Sequence, residues 1–262
     1  PAPAEGMGDI RYHKGHANES VNTYRGKSIK LTMAPNPSHL ESVDPVVEGQ
    51  THAKQFIVGD ESERRRIIPL LMHGDAALSG QGIVYETLQM SKLPGFETGG
   101  TLHIAINNQI GFTTAPQEAR STLYCTDIAH TFGAPVFHVN AEDSETCVRA
   151  ALLALDIRQR FHCDVFIDFN CYRKYGHNEG DEPAYTQPIE YQIIRKKKTI
   201  RSLYFQQLVQ EGHLDKKAAD EREATLKEHL QNAYQKAQEA TSEFADHPPL
   251  DLSLIFQPIE TR

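Results

Sequence analysis

The chain has 262 residues, 39% of them hydrophobic and 24% charged, with a net charge of -8; this is the balance of an ordinary globular protein. No apolar run approaches the roughly 18 residues that a membrane-spanning helix needs, so such a helix is excluded. The acidic balance argues against a nucleic-acid partner, whose phosphates require a basic face.

In chain order, residues 1–28 carry Gly, Asn and charged side chains without a helical or strand period, and read as an entry linker. The chain opens on Pro-Ala-Pro-Ala-Glu-Gly, as expected of a piece of a longer polypeptide. A short strand is predicted over 29–33, followed by a turn at Asn36-Pro37-Ser38-His39, where proline biases the preceding asparagine away from helix. Arg64-Arg65-Arg66 and Lys196-Lys197-Lys198 read as solvated edges. The apolar run 67–72 predicts a strand buried on both faces, ending in a turn at His73-Gly74-Asp75. A helix beginning near Ser79 or Gly80 follows, and residues 101–106 form the next strand, ending in Asn107-Asn108. Further strands are predicted over 135–139 and 164–171, with an amphipathic helix over 145–161 between them. This alternation predicts an α/β fold, a mostly parallel sheet with helices on both faces.

The main α/β domain is expected to occupy 29–190, with a helical extension over 191–245 and a linker over 246–262 leading to another domain. Within the extension, Leu203, Phe205, Leu208, Leu214, Leu226, Leu230 and Tyr234 supply narrow apolar stripes for two or three helices, with Gly212 as a boundary. Cys125, Cys147, Cys163 and Cys171 fall 22, 16 and 8 residues apart, which fits neither a paired Cys-x-x-Cys metal site nor a disulfide framework. A reducing compartment is the simplest reading.

Ligands of open parallel sheets bind beyond the carboxyl ends of the strands. Two such ends carry suitable groups: Gly74-Asp75-Ala76-Ala77, and Asn107-Asn108-Gln109-Ile110-Gly111. A hard cation such as magnesium takes oxygen ligands and shares its shell with phosphates. Asp75 offers a charged oxygen, Asn108 a neutral amide oxygen, and the carbonyl of Ile110 a third. The 33 residues from Asp75 to Asn108 leave room for one helix and one strand between them. His39 sits on a turn from which it can bind a dicarboxylic substrate or shuttle a proton, with a structural turn as the competing reading.

Gly-Asp-(Gly or Ala), followed about thirty residues later by Asn-Asn, resembles the signature of thiamine diphosphate enzymes. The segments NPSHLE, HGDAALSGQGIVYETLQMS, INNQIGFTT, ARSTLYCTDIA, HVNAED and DVFIDFNCYRKYGHNEGDEP narrow the resemblance to the decarboxylating components of 2-oxoglutarate dehydrogenases, over residues 8 to 190. Ala76 stands where most thiamine diphosphate enzymes carry glycine, as the oxoglutarate branch does. The resemblance implies thiamine diphosphate and Mg2+ as cofactors, with the amides of Ala76 and Ala77 approaching the diphosphate. It also implies that His177 touches the diphosphate, although Asn178 replaces the serine of related enzymes; a histidine that merely organises its loop is the competing reading.

The implied reaction is decarboxylation of 2-oxoglutarate and transfer of the succinyl group to the lipoyl domain of a dihydrolipoyl succinyltransferase component. The second subunit of a homodimer would supply the pyrimidine-binding domain and its glutamate, and further substrate histidines would lie upstream. The 262 residues alone are therefore expected to lack turnover. The implied location is the cytoplasm in bacteria or the mitochondrial matrix in eukaryotes. A 2-oxoadipate dehydrogenase component, a transketolase-like enzyme and a magnesium-dependent phosphate-binding domain of another class are the alternatives.

Overall fold

Residues 15–23, 26–36 and 39–240 are described in a computed structural model. Strand β1 (His16–Asn22) pairs antiparallel with β2 (Ser28–Met33), with a bulge between Asn18 and Val21. The expected linker thus contains a strand. Its sequence, HANESVN, lacks apolar alternation, and its extended form is set by pairing with β2. Helix α1 (Asp44–Ile57) leads to β3 (Leu70–Gly74), which passes into α2 (Asp75–Gly80) and α3 (Gly82–Met90). After β4 (Leu102–Asn107) come the short α4 (Pro116–Ala119) and α5 (Ile128–Thr131), then β5 (Val136–Asn140), α6 (Ser144–Phe161) and β6 (Val165–Asn170). A 3-10 turn at Pro183–Tyr185 precedes α7 (Pro188–Ile194), α8 (Ile200–Gln210) and α9 (Lys216–Ala240).

The sheet has the order β3-β4-β6-β5, with every pair parallel. One face packs Ala105 and Phe166 against Leu78, Val84, Leu88 and Ala129 of the α2, α3 and α5 segments. On the other, Val165, Ile167 and Val139 meet Ala150 and Ala154 of α6. Helices therefore cover both faces of the sheet's centre, and β6 is buried from both sides. Strand β3, expected to be buried on both faces, is instead an edge strand that buries one face only, with Leu70 and Met72 exposed. Aligned carboxyl ends follow from the register, in which Gly74 faces Ile106 and Asn107 faces Asn170.

Helix α1 turns polar residues inward. Gln55 is fully buried, and its amide donates to the carbonyls of Ile67 and Thr98, each at 2.8 Å. Arg64, expected as a solvated edge, is packed instead: it donates to Gln55 Oε1, to the Glu97 carbonyl and to the Glu97 carboxylate. Its partners lie 9 and 33 residues away, beyond the reach of a local charge pattern.

At the start of α1, Asp44, Glu41 and His73 bring three ligand-type atoms within 4.8 Å of one another, all buried. His73 Nδ1 lies 2.5 Å from Glu41 Oε2, and His73 Nε2 lies 3.0 Å from His103 Nδ1. Burial, with His73 beside it, holds His103 well below the ordinary histidine range. Burial and the neighbouring Glu41 and Glu48 push the Asp44 carboxyl up to about 8. Burial also raises Glu48 to about 7, although the hydroxyls of Thr101 and Thr98 oppose it.

Both carboxyls hold protons in the folded state that the unfolded chain gives up at its ordinary carboxylate pKa of 3.8 or 4.5. Their contribution to stability is therefore full below about pH 4 and is lost as pH rises through 7 and 8. The urea midpoint is expected to fall between pH 6 and pH 9, and Asp44→Asn should flatten that fall. A midpoint that is flat in the wild type would refute the protonated Asp44.

Across the amino end of the sheet, Arg158 of α6 is fully buried. Its Nε donates to Gly100 O at 2.8 Å, Nη2 to Thr98 O at 2.7 Å and Nη1 to Arg64 O at 2.5 Å. Gly100 has φ 93°, and a β-carbon there would lie 2.2 Å from the Cys163 carbonyl oxygen. Only glycine fits that approach.

The chain divides after Ile200 into two compact units. In the second, α8 ends at Gln210, Gly212 beyond it has φ 73°, and the amides of His213 and Leu214 return to the Leu208 carbonyl. Gly212 is thus the expected boundary between two helices.

Candidate functional site

The apolar run expected to end in a turn at His73 stays extended through Gly74, and α2 begins directly at Asp75 rather than near Ser79 or Gly80. Gly74 keeps extended angles (φ -77°, ψ 146°) as the cap of α2, so no separate turn is needed. Asp75 is 2% exposed. Its Oδ2 accepts from Arg120 Nη1 at 3.1 Å, and burial raises its carboxyl while Arg120 and the amides of Asp75 and Ala76 oppose the rise. Ala76 is half-buried and Ala77 buried within the same turn of helix.

At the neighbouring strand end, Asn107 is buried and its Oδ1 has no partner among the described residues. Asn108 follows, half-buried, with Oδ1 accepting from the Ile110 amide at 3.3 Å. Gln109 adopts φ 62° and anchors the loop by donating to Asn170 Oδ1 and the Cys171 carbonyl. Ile110 is buried, and a β-carbon at Gly111 would lie 2.6 Å from the Ala76 β-carbon. The loop carrying Asn108 and Ile110 therefore rests directly on the first turn of α2. One step beyond the last registered pair, Gly74 with Ile106, the ladder brings Asp75 level with Asn107.

A cavity of about 330 Å³ opens at the carboxyl ends of β4, β5 and β6, lined by Asn108, Ile110, Asn140, Glu142, Asn170 and Cys171 among others. A second, of about 910 Å³, includes His177, Lys174 and Arg195 and shares Glu142 and Cys171 with the first. Asp75 and Ala76 line neither cavity. His177 is exposed, with its ring edge-on to Phe112 at 5.3 Å, so the loops after β4 and β6 meet. Burial, with Asp75 and Asp168 nearby, pushes the Cys171 thiol up to about 11, which leaves it a poor nucleophile at neutral pH.

His39 is exposed, and its carbonyl accepts from the Ser42 amide and hydroxyl. Pro37 and Ser38 of the same motif lie outside the described residues. The structure ties this turn to β3 through Glu41, which has φ 65° and holds His73, two residues before Asp75. Sequence reasoning missed Arg120 and Glu41, although both lie in segments it singled out. Their place inside those motifs was visible, but their burial and their partners, 45 and 32 residues away, were not.

Comparison with known proteins places these features in context. The family model described as "Dehydrogenase E1 component" matches residues 4–245, so it includes the helical region as well as the sheet. Two similar proteins are both named "Multifunctional 2-oxoglutarate metabolism enzyme". The one from Mycolicibacterium vanbaalenii is 48% identical over 223 residues, and the one from Mycobacterium sp. strain JLS is 47% identical over 223 residues. In each case the match covers 84% of this chain and 18% of the relative, so the chain spans under a fifth of their length.

Proposed function

The chain belongs to the dehydrogenase E1 component family, and from that premise we propose that it forms the diphosphate- and magnesium-binding part of a thiamine diphosphate-dependent enzyme that decarboxylates 2-oxoglutarate. The resemblance to proteins named for 2-oxoglutarate metabolism supports 2-oxoglutarate as the substrate in this reading. The observation that carries the reading is the buried Asp75 at one strand end, with the loop of Asn108 and Ile110 packed on its helix through Gly111 and Ala76.

The residues fit the group. The donors are oxygens, the carboxylate is buried against a guanidinium, and Asn107 Oδ1 and Arg120 Nε are buried with no hydrogen-bond partner among the described residues. In this reading Asp75, Asn108 and the Ile110 carbonyl hold Mg2+. The amides of Ala76 and Ala77 approach the diphosphate, and His177 donates to it from the loop after β6. Bound thiamine diphosphate would supply the electron sink for loss of carbon dioxide. His39 acts on the substrate, its turn held in place by the Glu41–His73 contact. A second subunit completes the site, and the lipoyl domain of a succinyltransferase component receives the succinyl group.

Full-length protein is expected to release carbon dioxide from 2-oxoglutarate only with thiamine diphosphate and Mg2+ together, and more slowly from 2-oxoadipate. His39→Ala should lower kcat about 100-fold, as loss of a proton-transfer group does, while cofactor affinity stays within about twofold. Release that ignores the cofactor would refute the proposed function. Unchanged kinetics in His39→Ala would return that residue to a structural turn.

A further inference from the structure

The segment after α4 carries an arginine that the metal reading leaves without a task. Arg120 follows α4 directly, its amide bonded to the Pro116 carbonyl at 3.1 Å. Its side chain is 9% exposed and reaches Asp75 Oδ2, whose own side chain is 3% exposed. Among long side chains, a buried guanidinium is costly unless it is paired. Here one of its nitrogens is paired with a carboxylate, while Nε is buried and finds no acceptor among the described residues. Buried polar atoms are nearly always satisfied, and the exceptions cluster where a ligand is handled.

We infer that Arg120 is a positioning residue for Asp75, gripping Oδ2 so that Oδ1 is presented to the metal. This rests on the reading of Asp75 as a magnesium ligand. Three features support it. The ion pair is buried on both sides, so neither partner is free to rotate into water. Among the described residues, Arg120 is the side chain that hydrogen-bonds the Asp75 carboxylate, and the amides of Asp75 and Ala76 at its own end of α2 also act on it. Lastly, a guanidinium is a planar fork that holds a carboxylate oxygen in a set direction, whereas an ammonium is a point charge. Ligating carboxylates are commonly held this way by a partner outside the coordination shell, and loss of that partner typically weakens metal affinity about 10- to 100-fold.

The test is calorimetric titration of Mg2+ into full-length protein in the presence of a fixed excess of thiamine diphosphate, for wild type, Arg120→Gln, Arg120→Lys and Asp75→Asn. We expect Arg120→Gln to bind Mg2+ about 10- to 100-fold more weakly. Arg120→Lys should recover part of that loss, since charge returns without the fork. A merely structural arginine would show parallel loss of folding and binding, with no graded rescue. A folded Arg120→Gln variant whose Mg2+ affinity lies within twofold of wild type overturns the inference. Should Arg120→Gln not fold, Arg120→Lys with wild-type affinity overturns it in the same way. If Asp75→Asn leaves Mg2+ binding unchanged, the metal reading itself fails; if only the Arg120 variants are unchanged, the metal reading stands and the positioning role does not.

Discussion

Asp75→Asn in the full-length protein is expected to weaken magnesium-dependent binding of thiamine diphosphate by about 100-fold or more, while the far-ultraviolet spectrum stays that of the wild type. Removal of a residue outside the coordination shell already costs about 10- to 100-fold, so loss of the ligand's charge should cost at least the upper end. Asparagine is the informative choice because Arg120 is buried against this carboxylate. Alanine would leave that guanidinium without an acceptor, and an unpaired buried charge destabilises a fold by about 3–5 kcal/mol. Asp75→Ala should therefore lose stability as well as affinity, and only the amide variant separates the two. Wild-type cofactor affinity in Asp75→Asn, measured by calorimetry, would remove Asp75 from the metal site.

The other large effect is expected far from the cofactor. Arg158→Met should lower the unfolding free energy by about 3–5 kcal/mol, because it removes the guanidinium donors of the Gly100 and Arg64 carbonyls and one of the two donors of the Thr98 carbonyl, which keeps Gln55. Methionine fills much of the volume, so the loss reports on the hydrogen bonds rather than on a cavity. Burial already lowers the guanidinium to about 10, with Asp60, Glu48 and Asp164 opposing that shift. Urea denaturation of the chain is the measurement, and a loss under about 1 kcal/mol would show that the carbonyls find other partners.

These two arginines mark the boundary of what the sequence revealed. Strands β4 to β6 and helix α6 were legible because each is an apolar run or stripe, whereas β3 was legible as a strand but not as an edge strand, since its exposed Leu70 and Met72 are as apolar as buried residues. The pair Asp75 and Asn108 was legible as a spacing, because a strand and a helix have set lengths. Helix α1 was not, since the face it buries is Asp44, Thr51 and Gln55 while Phe56 and Ile57 point to solvent. Polarity alone would place such residues outside. The start of α2 was misplaced because Gly-Asp is commonest in turns, and here Gly74 instead caps a helix in an extended conformation. Arg64, Arg120 and Arg158 were out of reach for one reason: their partners lie 33, 45 and up to 94 residues away, and charge says nothing of such contacts until the chain is folded.

A β-carbon at Gly111 would stand 2.6 Å from the Ala76 methyl, which couples two positions that share no element of structure. Position 76 carries a methyl where most enzymes of the wider thiamine diphosphate group have a hydrogen, and that methyl occupies the space in which a side chain at 111 would stand. The two positions draw on a single volume, so a side chain can enter at 111 only if the methyl at 76 gives way.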